Sequence, residues 1–310
     1  MSVTTVASVG LALVAVAVAF ATVVAARPTA RRLRGMELAR HVPAWARDRV
    51  PPGPFVLVAG AVLALALVSV FVEILDAVVE EDDFTAFDRP VVEWVAQHRT
   101  GWSSAVVVAV TDIGGKALLT LLLAGVAVAV AVRLRSWRPF VLAAVSGGGS
   151  ALLVAGSKLL IARDRPDPLH RAVVESGFSF PSGHSASALV ILATVAWLIS
   201  MATGSRTVRA TAWVAAGILA VAIGVSRVYL GVHYPSDVVA GWMLGATWLV
   251  TVAVADRLPG SPPLPLPYRW RGADGSPGWL AHRPVAVFTV TATAGFAAIF
   301  GIVSVAALGG

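Results

Sequence analysis

Eight apolar runs, each about as long as a bilayer core is thick, constrain this chain more than any other feature. They are Val3–Ala26, Phe55–Val79, Ala105–Val132, Pro139–Ala162, Ser185–Thr203, Val208–Val225, Asp237–Ala255 and Val285–Leu308. A hydrocarbon core about 30 Å thick takes roughly 20 residues of helix. The runs are apolar on every face with Gly and Ala scattered through them, which suits spans and not amphipathic soluble helices. Composition agrees: 13% of residues are charged and mean hydropathy is +0.82, where soluble chains carry about 25% charge. An apolar content of 57% excludes disorder. With 0 Cys there is no disulfide scaffold, thiolate metal site or thiol nucleophile. The first run is expected to be a retained helix and not a signal peptide. It is too long, lacks a basic segment before it, and is followed by Arg27, Arg31, Arg32 and Arg34. The fold class expected is an all-α integral membrane protein.

A net charge of +7 and a pI near 10.9 raise nucleic acid as a partner. The distribution of the 24 Lys and Arg answers it. Segments 27–54, 133–138, 204–207 and 256–284, with Arg209 at the start of the next span, hold 16 of them. Segments 80–104, 163–184 and 226–236 hold 6, and Lys116 and Lys158 lie within spans. Positive charge in short loops marks the cytoplasmic side. The first set is therefore cytoplasmic, both termini face outward, and no nucleic acid is needed. Trp45, Trp137 and Trp279 at one boundary and Trp94 and Trp102 at the other suit interfacial belts. The Pro- and Gly-rich stretch Pro259–Pro277 reads as a cytoplasmic linker, and no internal repeat is present.

Ionisable groups are costly within a membrane and mark function where they gather. Three clusters fall at the outer ends of spans: Lys158 to Arg165-Pro166, Pro181-Ser182-Gly183-His184, and Ser226-Arg227 to His233 and Asp237. Lys158 and Arg165 are seven apart, two helical turns, and share a face if the helix continues that far. Arg forks match phosphate oxygens and Lys adds a point charge. Ser182 and Gly183 open a helix, where free N–H groups and the dipole favour an anion. So many convergent donors fit a phosphate better than a carboxylate. His233, four before Asp237, has a carboxylate to fix its tautomer and leave the other nitrogen as nucleophile. His184 is then the acid that protonates a departing alkoxide. Two His and an Asp also suit a metal, but three nearby cations repel a divalent ion, so none is expected.

In order and spacing, these clusters resemble the signature of the type 2 phosphatidic acid phosphatase superfamily, which includes membrane lipid phosphatases and vanadium haloperoxidases. The likeness covers Lys158 through Asp237 with no departure at a signature position. It implies a six-helix phosphatase core at 55–256, with an extra transmembrane helix and basic loop at 1–54 and a linker plus extra helix at 257–310. It implies that His233 becomes a phosphohistidine, Asp237 orients it and His184 is the general acid. Lys158, Arg165, Ser182, Gly183 and Arg227 would hold phosphate without metal or other cofactor. The expected function is a multi-pass cell-membrane phosphatase acting at the outer face on a lipid phosphate monoester or diphosphate. Its partners are the bilayer and a lipid substrate: phosphatidic acid, phosphatidylglycerol phosphate, a polyprenyl diphosphate such as undecaprenyl diphosphate, or a polyprenyl-phospho-sugar phosphate. A phosphotransferase using the same intermediate, or a lipid transporter, are the alternatives; charges at one face instead of the midplane speak against transport. Oligomeric state is not legible.

Other positions carry plainer readings. Asp112 and Lys116, four apart, suit an ion pair on one helix, while the sharper reading has Lys116 reaching a second phosphate or headgroup. Ser226 either touches phosphate or ends its helix. Tyr229 and Tyr234 read as interfacial packing, His98 and His170 as surface residues, and Gly147-Gly148-Gly149-Ser150 as a close helix contact. The acidic run Glu80-Glu81-Asp82-Asp83 is a solvated connector, or a negative rim that favours lateral access from the lipid phase.

Overall fold

A computed structural model describes residues 52–80 and 85–257, with side chains from Leu57 onward. The first and last expected spans, the Pro259–Pro277 linker and residues 81–83 of the acidic run lie outside the described residues. Eight α-helices are described: α1 (Pro52–Glu80), α2 (Asp88–His98), α3 (Gly101–Ile113), α4 (Lys116–Leu134), α5 (Arg138–Ile161), α6 (Gly183–Ala202), α7 (Arg206–Tyr229) and α8 (Pro235–Arg257). A 3₁₀ turn, Pro168–His170, interrupts the α5–α6 connection. Among the described residues six helices are long and apolar enough to cross a membrane: α1 from Leu57, α4, α5, α6, α7 and α8. They fall where the apolar runs between Phe55 and Ala255 predict them, with one correction.

The run Ala105–Val132 is two helices. Gly115 N–H donates to Asp112 O at 2.9 Å, Gly114 N–H donates to Val110 O at 3.2 Å, and the chain turns there. A Cβ on Gly114 would lie 2.6 Å from Ile223, so α7 packs directly over the corner. The apolar count runs on through Thr-Asp-Ile-Gly-Gly-Lys because it ignores the helix-ending effect of paired glycines. Only α4, 19 residues and so about 28 Å long, reaches across. The turn also removes the Asp112–Lys116 pairing, since the two no longer share a helix. Among the described residues neither enters an ion pair.

Helix α2 is a second departure from the sequence reading, which has only a connector there. Its residues Asp88–His98 have no long apolar run. They bury one stripe, Asp88 and Val92, and expose Trp94. α3 begins with a capping box, in which Thr100 Oγ1 accepts from Ser103 N–H and Ser103 Oγ from Thr100 N–H.

α6 is the central helix, buried over 61% of its span window. Its first turns meet α8 almost backbone to backbone: a Cβ on Gly241 would sit 2.6 Å from Ser182 O. That contact lets Ser182 N–H donate to Asp237 O at 2.9 Å, so the starts of α6 and α8 are joined. Of the glycine run, Gly149 gives room to the buried Trp248 ring, 2.2 Å from where its Cβ would be. Trp248 in turn donates to Ser146 O at 3.0 Å. At the opposite end of the bundle Arg138 grips Asp256 through Nε (3.0 Å) and Nη2 (2.5 Å), tying the start of α5 to the end of α8. Asp256 is buried and Arg138 only partly so. Removing the cation leaves a buried carboxylate unpaired, which costs up to about 3 kcal/mol. Arg138→Ala is therefore expected to lower the thermal midpoint in detergent while leaving the far end of the bundle, and its activity, as they were.

Candidate active site

The three charged clusters converge at one end of the bundle, where α5 and α7 finish and α6 and α8 begin. α7 runs on to Tyr229, four residues past the expected Val225, so Ser226 and Arg227 lie within the helix. The chain then turns through Gly231 (φ 70°) and presents His233 just before α8. His233 is buried, and its two ring nitrogens have different neighbours. Nδ1 lies 3.3 Å from Asp237 Oδ2 and Nε2 lies 3.2 Å from Arg165 Nη1. A guanidinium can only donate, which assigns the lone pair to Nε2 and the proton to Nδ1, donated to Asp237. Burial pushes the His233 pKa down to about 3 against the opposing pull of Asp237, so the ring is neutral.

Asp237 stands in the first turn of α8 and is fully buried. Oδ1 accepts from Arg163 Nη1 at 2.6 Å. Oδ2 accepts from Ser179 Oγ (2.8 Å) and Tyr234 N–H (2.9 Å) as well as from His233. With its acceptor positions filled and the helix dipole behind it, the carboxylate is fixed in place.

Arg165 stands in front of His233 Nε2, and Arg227 and His184 gather with it around the Glu175 carboxylate. α5 ends at Ile161, so Arg165 does not share a helix with Lys158. Ala162 takes the left-handed conformation (φ 51°) that ends helices, and the following non-helical chain carries Arg165 inward. Lys158 donates to Phe178 O and to Ser179 O, the latter at 3.1 Å, and so holds the α5–α6 loop. Arg227 Nη1 donates to Thr111 Oγ1 at 3.0 Å. Ser182 caps α6: its Oγ accepts from Ser185 N–H (3.5 Å) and Ser185 Oγ (2.9 Å), leaving its own hydroxyl proton to donate elsewhere. The N–H groups of Gly183 and His184 belong to the first helical turn, which has no intrahelical acceptors. Lys116 reaches the same turn, with Nζ 3.9 Å from where a Cβ on Gly183 would lie.

Several contributors are absent from the sequence reading. Arg163 bridges three groups: Asp237 Oδ1, Ser236 Oγ (2.8 Å) and Asp88 Oδ2 (2.8 Å). Burial works against its charge, but Asp237 and Asp88 together hold its pKa above the usual value. Its ring-facing side lies 4.3 Å from the centroid of Tyr234, which gives that tyrosine a definite partner. Asp88 also accepts from Ser236 N–H at 3.0 Å, so helix α2 is clamped onto the turn that bears Asp237. Spacing offered one signal: in non-helical chain residues two apart turn the same way, and Arg163 and Arg165 flank an exposed Asp164. Asp88, 149 residues from Asp237, gave none. Ser226 does not end a helix: its Oγ donates to Ile223 O (2.6 Å) and lies 3.1 Å from Thr111 Oγ1. Glu175 is the remaining surprise, with its carboxylate against Arg165, Arg227 and His184.

Chemically, this is a buried neutral imidazole whose Nε2 lone pair is turned toward Arg165, backed by a carboxylate and close to further cations and a helix N-terminus. Such an arrangement binds an oxyanion and can attack it. Among the described residues no three His, Asp or Glu side chains gather as a metal-ligand set.

A second space adjoins the first. A cavity of about 590 Å³ between α4, α5 and α6 is lined by Lys116, Leu123, Ala127, Phe140, Gly147 and Gly148, among others. Lys116 stands at the site end and Val128 some 18 Å below it along α4. Gly147 and Gly148 therefore open a groove, and only Gly149 of that run serves close packing.

Comparison with known proteins follows the same residues. A profile described as the PAP2 superfamily matches residues 113–257. Phosphatidylglycerophosphatase B of Bacillus subtilis is 32% identical over 178 residues, 56% of this chain and 86% of that protein. Decaprenylphosphoryl-5-phosphoribose phosphatase of Mycobacterium tuberculosis is 32% identical over 185 residues, 58% of this chain and 85% of that one. Among solved structures, a transmembrane PAP2-type phosphatidylglycerolphosphate phosphatase from Bacillus subtilis aligns with a TM-score of 0.56 at 29% identity. The alignment covers 60% of this chain and 93% of that one.

Proposed function

The chain belongs to the PAP2 superfamily, and from that premise we propose that it is a membrane lipid phosphatase working through a phosphohistidine on His233. The observation that carries this is the pair of contacts on the His233 ring: Asp237 at Nδ1, and the Arg165-lined anion site at Nε2. In the first step Nε2 attacks the substrate phosphorus, an N–P bond forms, and the bond to the leaving oxygen breaks. His184 gives that oxygen its proton. In the second step water attacks phosphorus, His184 takes a proton from it, the N–P bond breaks and inorganic phosphate leaves. Arg165, Arg227, Lys158, the Ser182 hydroxyl and the Gly183 amide stabilise the charge on the transferring group, which is most of what phosphoryl transfer asks of a protein. Asp237 carries no proton in this scheme. It holds the ring and the positive charge that develops on it.

The substrate is a lipid phosphate monoester or diphosphate. The groove below Lys116 supports this, since its apolar walls suit an acyl or prenyl tail with the headgroup at the site end. The names of the relatives, which concern phosphatidylglycerophosphate and a decaprenylphosphoryl sugar phosphate, agree with a lipid substrate. The distribution of arginines supports an active site on the extracytoplasmic face, with the helices flanking 55–256 as additions to the catalytic core.

The test is phosphate release in detergent from short-chain phosphatidic acid and from a prenyl diphosphate, with EDTA present. Loss of activity in EDTA would overturn the metal-free scheme. Delivery of the phosphate to an acceptor alcohol in place of water would make the protein a transferase. Lys116 is proposed to meet the second phosphate or the headgroup. Lys116→Met is expected to lower kcat/KM for the diphosphate about tenfold more than for the monoester, the loss of one charge-assisted contact. Unchanged selectivity would remove Lys116 from substrate recognition.

A further inference from the structure

The arginine that faces His233 Nε2 already holds an anion, and it belongs to the protein. Glu175 sits midway along the α5–α6 connection. Its Oε1 lies 3.4 Å from Arg165 Nη2 and 3.8 Å from His184 Nδ1, and its Oε2 is in direct contact with Arg227 Nη2. The two arginine side chains are only 5% and 4% exposed, whereas Glu175 retains 23%. The carboxylate thus lies on the solvent side of a buried pair of cations. The residues after it wrap the same cations. Arg165 donates to Ser176 O (3.2 Å) and Gly177 O (2.8 Å), and Lys158 to Phe178 O and Ser179 O. Gly177, at φ 77°, makes the turn that returns the chain after Glu175.

We propose that Glu175 is a specificity-determining residue: a tethered carboxylate that fills the phosphate cradle at rest and must be exchanged for the substrate's phosphate, which sets a minimum charge for admission. This rests on the phosphatase reading of the site. A carboxylate brings one negative charge and two acceptor oxygens. A phosphodiester, the headgroup linkage of ordinary bilayer phospholipids, brings the same and gains nothing by displacing it. A phosphomonoester, or the terminal phosphate of a diphosphate, carries about −1.5 to −2 and three free oxygens, so it wins the exchange. The tether makes the competition stringent, because a side chain on a short loop acts at an effective concentration in the millimolar range or above. An enzyme immersed in diester lipid needs such a barrier, and two buried arginines without a counter-ion would otherwise bind the nearest diester.

The experiment compares wild type, Glu175→Gln and Glu175→Asp, full-length in detergent micelles. Inorganic phosphate binding is measured by calorimetry. Inhibition of phosphatidic acid hydrolysis is measured with increasing mole fractions of dioleoyl phosphatidylglycerol, a diester. Glu175→Gln is expected to bind inorganic phosphate at least tenfold tighter, and to be inhibited by the diester at mole fractions that leave wild type untouched. Glu175→Asp, which keeps the charge, should return both properties toward wild type. Phosphate affinity and diester resistance that do not change in Glu175→Gln would overturn the proposal. So would a loss of kcat with unaltered phosphate affinity, since Glu175 would then serve the chemistry instead of guarding it. If no variant, wild type included, releases phosphate from any lipid phosphate, the phosphatase reading fails; the calorimetry still decides whether Glu175 competes with an anion.

Discussion

His233→Ala is expected to abolish phosphate release, lowering kcat by at least about 10³-fold with little change in KM. In the proposed scheme His233 is the one group whose removal deletes a covalent step, and losses of this size and larger accompany such deletions elsewhere. Wild-type enzyme quenched in alkaline detergent should carry an alkali-stable, acid-labile phosphoryl group during turnover, and the variant none. A variant that keeps a tenth of its activity would remove the phosphohistidine. The same residue has a pH signature. Burial holds the ring's pKa near 3, far below the ordinary 6.5, in spite of Asp237. The neutral, nucleophilic form therefore persists as pH falls through the range where a free imidazole would take up a proton. Histidine-labelled NMR should show a His233 signal that does not titrate between pH 5 and 8. A titration near 6.5 at that signal would mean that the site is wetter than its geometry implies.

The second large effect is expected at a distance from the nucleophile. Arg163 holds Asp237, and Asp88 holds Arg163 together with the Ser236 amide. Arg163→Ala leaves one oxygen of a fully buried carboxylate unpaired and frees the α8 turn to shift. A misplacement of about 1 Å at the reacting atoms costs around 10²-fold, and that is the expected loss in kcat. Asp88→Asn should cost about tenfold, since it keeps the shape and removes the charge. These are positioning residues, so the split matters: kcat falls and KM holds. The effects of Asp88→Asn and Asp237→Asn should be strongly non-additive, because both act through one chain of contacts. A double variant in which the two losses simply multiply would separate Asp88 from Asp237.

How much of this could be read beforehand depended on the range over which each signal acts. Spans α1 and α4 to α8 declared themselves because membrane insertion demands about 20 contiguous apolar residues, a requirement local in sequence. The α3–α4 corner hid inside such a count, which passes over the Gly114-Gly115 pair that ends the helix and leaves room for Ile223 to pack against it. Helix α2 hid for the opposite reason: it is half polar, and what recruits it is the tertiary partner of Asp88. In the site, His233, Asp237, His184 and the cations were legible because their chemistry is carried by residue type at short spacing. Lys158 and Arg165 both hold carbonyls of the same loop, at 176–179, but not as neighbours on one helix, since α5 stops at Ile161. Arg163, Thr111 and Glu175 were not legible. Each owes its role to a partner 52 or more residues away, or to a loop whose path a linear pattern cannot give.

The contact of Gly241 with Ser182 has a mechanical consequence. Helices α6 and α8 come close enough that only the small Ser185 side chain and the Ser182 and Ala186 backbone face Gly241, and Ser182 N–H is bonded to Asp237 O across the seam. Neither helix can slide or tilt there without dragging the other, so His184, His233 and Asp237 travel as one block. The opposite flank, where α4 and α5 face the groove across Gly147, Gly148 and a row of alanines, has slack. A bulky tail seated in that groove would press on the flank with open space, and not on the seam that joins Ser182 to Asp237.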